Sequence, residues 1–511
     1  MKNDGMSKET RQFDSDAHTL QQLGYTQELA RRLGSFSNLA ISLSIICILA
    51  GGITSFHLGF CAAGGASIGL GWPLVCAFST VVALSMGQIA SAFPTAGGLY
   101  HWASILGGRG WGWGTAWFNL IGLVTVLAAI NVGTYEFFVQ AFGLSWQDSP
   151  HGWWIQLSAL TLITLTQAAF NHAGIRVTAL LTDFSGYWIL ATATALVAAL
   201  LSFGATHDLS RLWTFSNFTG IPDGRVWPAH GSIGVAFALG WLLPAYTITG
   251  FDASAHVAEE TVSASRNVPS GIVRSVVLSG ITGWIMLATI VMAMPSLEEA
   301  ALQGPTVFYW VMRTMVPAGV RLPLFAAILI AQYLCGLATV TSASRMAFAF
   351  ARDGGLPYRF RKISPRYRSP AVAIWGVASA AILFTVYSPV YSTITAVCTI
   401  FLYVSYVLPT ALGLRAFGRS WTRMGPWHLG KWFRPAGAIS VVGCLALILI
   451  GLQPPNQKAG AVLVGMSLLL IVAWYGLARH SFPGPPIANL LADPRRAPST
   501  DEGRKEPGRD G

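Results

Sequence analysis

Asp252 sits where a charge needs a reason. It follows Pro244-Ala245-Tyr246-Thr247-Ile248-Thr249-Gly250-Phe251 inside a long apolar stretch, and a carboxylate surrounded by hydrocarbon is costly unless it serves a function. Its plainer role is an ion pair or helix-end contact. Glu136 and Asp183 also lie in apolar runs, nearer their ends. A second unusual stretch, Ile46-Cys47-Ile48-Leu49-Ala50-Gly51-Gly52-Ile53-Thr54-Ser55, puts glycines and hydroxyls midway along an apolar run. A helix broken in lipid frees N–H and C=O groups, which is tolerable only if something polar meets them. A half-helix restarting near Gly52 or Ile53 presents N–H groups and a positive dipole end, suited to a carboxylate. Gly51, Gly52, Ile53 and Thr54 are the candidate contacts, with a packing notch as the bland alternative. Carbonyls released around Tyr246, Thr247, Ile248, Thr249 and Gly250 suit an ammonium, and the Tyr246 ring adds cation–π attraction unless it is simply a core tyrosine.

That chemistry binds charge at both ends of a small molecule and breaks no bond. Two metal-enzyme signatures are missing: there is no HExxH and no Cys/His cluster. All six cysteines (Cys47, Cys61, Cys76, Cys335, Cys398, Cys444) lie in apolar stretches without a CxxC pair, which reads as small buried hydrophobes rather than a metal site or disulfide framework. Histidine side chains ordinarily titrate in a useful range, but lone histidines such as His57 and His101 read as hydrogen-bonded structural residues. No cofactor is expected.

The elements that would position these residues are membrane helices. Of 511 residues 53% are hydrophobic and 10% charged, against about 25% charged in soluble domains. Twelve apolar segments stand out, at 36–62, 66–91, 113–142, 153–171, 175–203, 232–257, 271–294, 320–349, 371–388, 391–414, 434–452 and 459–478; a span needs about 20 apolar residues. The net charge of +11 does not point to nucleic acid, because the basic residues lie in the gaps between apolar segments. With the N-terminus in the cytoplasm, 27 of the 32 Lys and Arg fall inside. The positive-inside pattern then puts both termini in the cytoplasm of a protein in the plasma (inner) membrane. No cleavable signal peptide is expected, the first span serving as its own insertion signal. The chain divides into a cytoplasmic N-terminal tail (1–35), a transport core of ten spans (36–414), a cytoplasmic loop (415–433), two further spans (434–478) and a C-terminal tail (479–511) whose composition reads as disordered. The interruptions in spans one and six, five helices apart, point to an inverted-repeat transporter with a midplane site.

Three motifs carry a family resemblance. Ala92-Phe93-Pro94-Thr95-Ala96-Gly97-Gly98-Leu99-Tyr100-His101-Trp102 follows span two. Gly250-Phe251-Asp252-Ala253-Ser254-Ala255-His256-Val257-Ala258-Glu259-Glu260-Thr261 runs through the span-six interruption, with Asn267-Val268-Pro269-Ser270-Gly271-Ile272 after it. Ser342-Ala343-Ser344-Arg345-Met346-Ala347-Phe348-Ala349-Phe350-Ala351-Arg352-Asp353-Gly354-Gly355-Leu356-Pro357 ends span eight. In this order the chain resembles the amino acid–polyamine–organocation superfamily of secondary transporters over about residues 24 to 480, and most of all its amino acid/choline branch, which includes γ-aminobutyrate permease-like proteins. The resemblance implies an all-α membrane fold with a five-plus-five inverted repeat, broken helices 1 and 6 around the substrate, and helices 11 and 12 peripheral. It implies that Tyr246 lies over the substrate and that an acid at Asp252 is linked to proton sensing. Arg345 and Arg352 read either as part of a cytoplasmic gate, with Glu259 or Glu260 as partners, or equally as solvated interface charges.

One departure bears on coupling. Some proton-coupled relatives carry a lysine in mid helix five, whereas this chain reads Phe184-Ser185-Gly186-Tyr187-Trp188-Ile189-Leu190, without a base. Thr341 and Ser344 offer oxygens to a sodium-like site, or bond back to their own helix. Proton coupling, sodium coupling and exchange stay open, as does oligomeric state. The leading expectation is a permease for an amino acid or related amine, partnered by that small molecule and the lipid bilayer. Choline, ethanolamine or polyamine uptake, needing no carboxylate contact, is the alternative within transport; a channel or membrane enzyme belongs to another class.

Overall fold

The computed structural model describes residues 16–146, 149–387 and 391–486, and these form helices joined by turns. The secondary structure is all-α among these residues, with two isolated bridges (Leu33 to Thr261, Phe417 to Trp421) and no strand. Among the described residues nine helices are long and apolar enough to cross a membrane: Ser35–Gly52, Ser67–Ala92, Arg109–Phe142, Ile175–Phe203, Ala264–Ala293, Ala318–Arg352, Ile394–Ala416, Gly430–Gly451 and Gln457–Ser481. Three other expected segments are present as helices of different character. Gly152–His172 carries Gln156, Thr164, Gln167 and Asn171 among its apolar residues. Ile233–Thr247 and Ala371–Val386 are shorter apolar helices. The expected span at 232–257 loses regularity after Thr247.

For the argument below, the main helices are α1 (Ser35–Ile46), α2 (Phe56–Ala63), α3 (Trp72–Ala92), α4 (Leu99–Gly107), α5 (Arg109–Phe142), α6 (Gly152–His172), α7 (Ile175–Phe203), α8 (Ile233–Gly240), α9 (Leu242–Thr247), α10 (Ala253–His256), α11 (Ala264–Ala293), α12 (Leu297–Ala301), α13 (Val307–Met315), α14 (Ala318–Arg352), α15 (Ala371–Tyr387), α16 (Tyr391–Ala416), α17 (Phe433–Gly451) and α18 (Gln457–Ala473).

Burial sorts these helices. The apolar windows of Ser35–Gly52 and Arg109–Phe142 are each 78% buried, whereas Gln457–Ser481 is 11% buried, so the last helix faces outward on most of its surface. Leu180, Leu383, Val442 and Val472 are each about 70% exposed. Such side chains facing out all around a bundle identify lipid as the solvent. Inside, α16 packs along α5, α11 along α3 and α1, and α14 along α5 and α7. The α4 helix is too short to span and lies beside α5 and α16.

Residues 16–33 do not hang free. Leu20, Leu23, Tyr25 and Leu29 are buried, and the backbone N–H groups of Arg32 and Leu33 donate to the Glu260 carbonyl at 2.8 Å. The C-terminal tail expected to be disordered falls outside the described residues beyond position 486.

Candidate functional site

The first break begins at Cys47, whose backbone leaves helical geometry (φ 12°, ψ 89°). The chain then makes one wide turn over Ile48–Gly52 before α2. The freed groups have partners, as a low-dielectric interior requires. Gln332 of α14 donates its amide to the Leu49 carbonyl at 3.1 Å, and Cys335 donates to the Ile45 carbonyl at 3.3 Å. Cys47 Sγ points back to the Ala331 carbonyl at 3.8 Å. Two of the six cysteines, all buried and free, thus do more than fill space.

The second break runs from Ile248 to Asp252. Gly250 has φ 82°, and a Cβ there would stand 2.3 Å from Ile45 Cγ2 of α1. Both backbone conformation and proximity therefore demand glycine. Thr249 donates its hydroxyl to the Tyr246 carbonyl at 2.7 Å, and Thr247 to the Leu243 carbonyl at 2.8 Å, so the threonines solvate their own broken helix. The Gly250 N–H donates to Tyr406 Oη at 2.9 Å.

The two breaks meet. A Cβ on Gly51 would lie 3.0 Å from Thr247 Cα, whereas one on Gly52 would face Met286 and Leu287 of α11 at 3.6 Å and beyond. Gly51 is therefore the close-approach residue, and Gly52 turns toward another helix. Ile53 is buried, and Thr54 donates to the Ala50 carbonyl at 2.7 Å. Tyr246 borders a cavity of about 30 Å³ with Trp227, Leu242, Thr399 and Tyr403. That is room for about one water, so this conformation is closed around Tyr246.

Asp252 is fully buried and accepts three side-chain hydrogen bonds: from Tyr406 Oη on Oδ1 at 2.9 Å, and on Oδ2 from Asn119 at 3.0 Å and His256 Nε2 at 3.2 Å. The other ring nitrogen of His256 faces the Ala96 carbonyl at 3.2 Å. A neutral imidazole has one N–H, and both of its neighbours here are acceptors. Satisfying both contacts requires one proton beyond a neutral imidazole with an ionised carboxylate; the Asp252–His256 pair then has no net charge, as its burial favours.

Below this pair lies a layer of buried charge. Arg345 faces Glu260 with Nε to Oε2 at 3.1 Å and Nη2 to Oε1 at 3.3 Å, and Arg352 grips Glu259 with two bonds of 2.9 and 2.8 Å. Both expected glutamates are thus engaged, one by each arginine. Asp353 accepts from Tyr25 at 2.8 Å, from His101 at 2.9 Å and from Tyr100. Burial raises the proton affinity of Asp353, but the bonds from His101 and the charge of Arg352 outweigh it and hold the carboxyl below its ordinary value. Glu259 is likewise held low: its burial is outweighed by Arg352 and by the Ala96 N–H.

Thr341 donates to Asn171 Oδ1 at 2.7 Å, and Ser344 donates to the Thr341 carbonyl while accepting from Arg345 at 3.2 Å. Glu136 and Asp183 stay outside the cluster; Asp183 accepts from Ser37 at 3.0 Å. Sequence reasoning overlooked Asn119, Tyr406, Gln332 and His256. His256 stands four residues after Asp252 in the sequence and hence one helical turn away. Asn119 and Gln332 are amides inside apolar runs, the same kind of warning as an acid. Tyr406 carried no such mark.

Residues 33–475 match the profile of a family described as amino acid permease. The chain is 31% identical to amino-acid permease BAT1 of Arabidopsis thaliana, over 94% of this chain and 98% of that protein. It is 30% identical to a BAT1 homolog of Oryza sativa subsp. japonica, over 93% and 96%. An uncharacterized amino-acid permease of Schizosaccharomyces pombe is 28% identical over 94% and 88%.

Proposed function

This chain belongs to the amino acid permease family, and we propose from that premise that it carries a zwitterionic amino acid, or a close amine, between its two broken helices. It is a multi-span secondary transporter and not an enzyme. The observation that carries the substrate reading is the approach of Gly51 to Thr247, which brings the polar turn Ile48–Gly52 against the carbonyl-rich end of α9. Carboxylate contact falls to Gly51, Gly52, Ile53 and Thr54, and ammonium contact to Tyr246, Thr247, Ile248, Thr249 and Gly250. Tyr246 closes the path toward Trp227. Affiliation to the amino acid/choline branch is part of this proposal.

A core of ten helices over 36–414, built as a five-plus-five inverted repeat within twelve spans, accounts for the packing. Under that symmetry α3 corresponds to α11, α5 to α14 and α6 to α15, and each of these pairs is in contact. The breaks at Cys47 and Ile248 fall at corresponding places. Residues 415–433 form a loop to the outer pair of spans in 434–478. Both termini, 1–35 and 479–511 included, are cytoplasmic by the distribution of Lys and Arg. Labelling of an Arg359→Cys variant from outside intact cells would overturn that orientation.

For coupling we propose the proton. Asp252 and His256 hold it, and Tyr406 links Asp252 to the backbone of the α9–α10 break. A sodium site at Thr341 and Ser344 is disfavoured, because the Arg345 guanidinium stands 3.2 Å from Ser344 Oγ and like charges repel. Arg345 instead belongs with Glu260 to the gate. Uptake into proteoliposomes decides the matter, with labelled amino acids and amines tested under separate proton and sodium gradients. Carboxylate-bearing substrates accumulating on the proton gradient support the proposal. Transport of choline, ethanolamine or a polyamine alone would defeat its substrate half, and accumulation driven by sodium alone its coupling half.

A further inference from the structure

Two neighbouring cavities, of about 620 and 340 Å³, open on the face that carries the N-terminal segment and share Leu106 and Ser420. Arg415 and Arg419 line the smaller one and Arg423 the larger, while Leu106 and Leu412 supply apolar wall. Among the described residues no carboxylate lines either cavity. Residues 415–434 contain five Lys and Arg and no acid. The contrast with the gate is plain: Arg345 and Arg352 each face a glutamate, whereas Arg415, Arg419 and Arg423 form no ion pair among the described residues.

Position says what kind of anion would come. The cavities lie between the start of the span Arg109–Phe142 and the end of the span Ile394–Ala416, at the boundary between hydrocarbon and water. Trp111 and Trp432 are 53% and 66% exposed at the adjoining helix ends, and exposed tryptophans collect at the level of lipid headgroups. An apolar wall beneath a rim of arginines fits an amphiphile whose phosphate meets guanidinium groups while its first methylenes lie against leucine. A soluble phosphate compound would leave the apolar wall unused.

We propose that this paired cavity is a binding site for the phosphate headgroup of an anionic phospholipid in the leaflet on the N-terminal side. The lipid would bridge α4 and the end of α16 to the loop after it. The N-terminal segment, which contributes Thr19, Gln22 and Leu23 to the larger cavity, would rest against it. The proposal does not depend on which solute is carried.

The test uses the full chain, purified and reconstituted in phosphatidylcholine with and without phosphatidylglycerol. Lipid retained after detergent extraction is counted by mass spectrometry. Each arginine near an anionic lipid is worth about fivefold in binding, so Arg415→Gln/Arg419→Gln/Arg423→Gln is expected to retain phosphatidylglycerol at least tenfold less than the unaltered chain, while Arg359→Gln retains it fully. Photo-crosslinkable phosphatidylglycerol on the unaltered chain is expected to label residues 415–424, which tests the site even if the triple variant misfolds. Equal retention by a folded triple variant, or labelling confined to other segments, would overturn the proposal. Displacement by millimolar glycerol phosphate would overturn it too, assigning the arginines to a soluble anion.

Discussion

Asp252→Asn is the sharpest perturbation, because it keeps the shape and removes the charge. Asp252 presents only acceptors to three donors. In the variant the amide oxygen best faces Asn119 and His256, which leaves the new NH2 against Tyr406 Oη. That hydroxyl already accepts from the Gly250 N–H, so its own proton loses its acceptor. One unsatisfied buried donor costs about 1–3 kcal/mol, and each charge-assisted bond made neutral loses up to about 1–2 kcal/mol more. The variant is expected to fold with a lowered melting midpoint and to bind substrate, since Gly51 and Thr247 are untouched. On the proposed proton coupling, what it loses is the carboxylate that takes up the coupled proton. A gradient of one pH unit supplies about 1.4 kcal/mol, or tenfold accumulation, to a carrier moving one proton per solute. In proteoliposomes the unaltered chain should concentrate substrate toward that limit. Asp252→Asn should only equilibrate or exchange it, with a flat pH profile. Full accumulation and an unchanged pH profile in the variant would refute the reasoning, and Glu136 and Asp183 would become the acids to test.

Other expectations follow from the same geometry. Gly250→Ala should abolish uptake and lower thermal stability by about 2–5 kcal/mol, the sum of a left-handed backbone penalty and overpacking against Ile45; Ile45→Ala should restore part of the stability loss in a double-mutant cycle. Gly51→Ala should weaken substrate binding measurably because Thr247 must move, while Gly52→Ala, meeting Met286 at an ordinary distance, should transport nearly as well as the unaltered chain; equal effects would refute the asymmetry. Glu259 and Asp353 are held below their ordinary proton affinities, so the stability they add is present above the ordinary carboxylate range and drains away as pH falls below about 4. Acid melts should show that loss, and Asp353→Asn should remove its share of the slope.

Short helices such as α4 and α13 were not legible in the sequence, whereas the membrane class, the long apolar helices and the places where two helices lose regularity were. Each depends on local properties: a run of apolar residues buries itself in lipid wherever it packs, and glycines or hydroxyls midway along it weaken the helix on the spot. Asp252 stood out for the same reason, being charged where its neighbours are not. Which glycine of the Gly51–Gly52 pair meets the other break was not legible, because adjacent residues on a turn point about 100° apart and only the packed neighbours distinguish them. Nor was the setting of Thr341 and Ser344, whose hydroxyls donate to Asn171 and to the Thr341 carbonyl in the packed structure. The division of two glutamates between two arginines, the setting of Asp252 among Asn119, Tyr406 and His256, and the docking of Tyr25 on Asp353 all join residues far apart in the chain. Contacts between distant residues depend on how whole helices pack, and no local pattern of residue types encodes that packing.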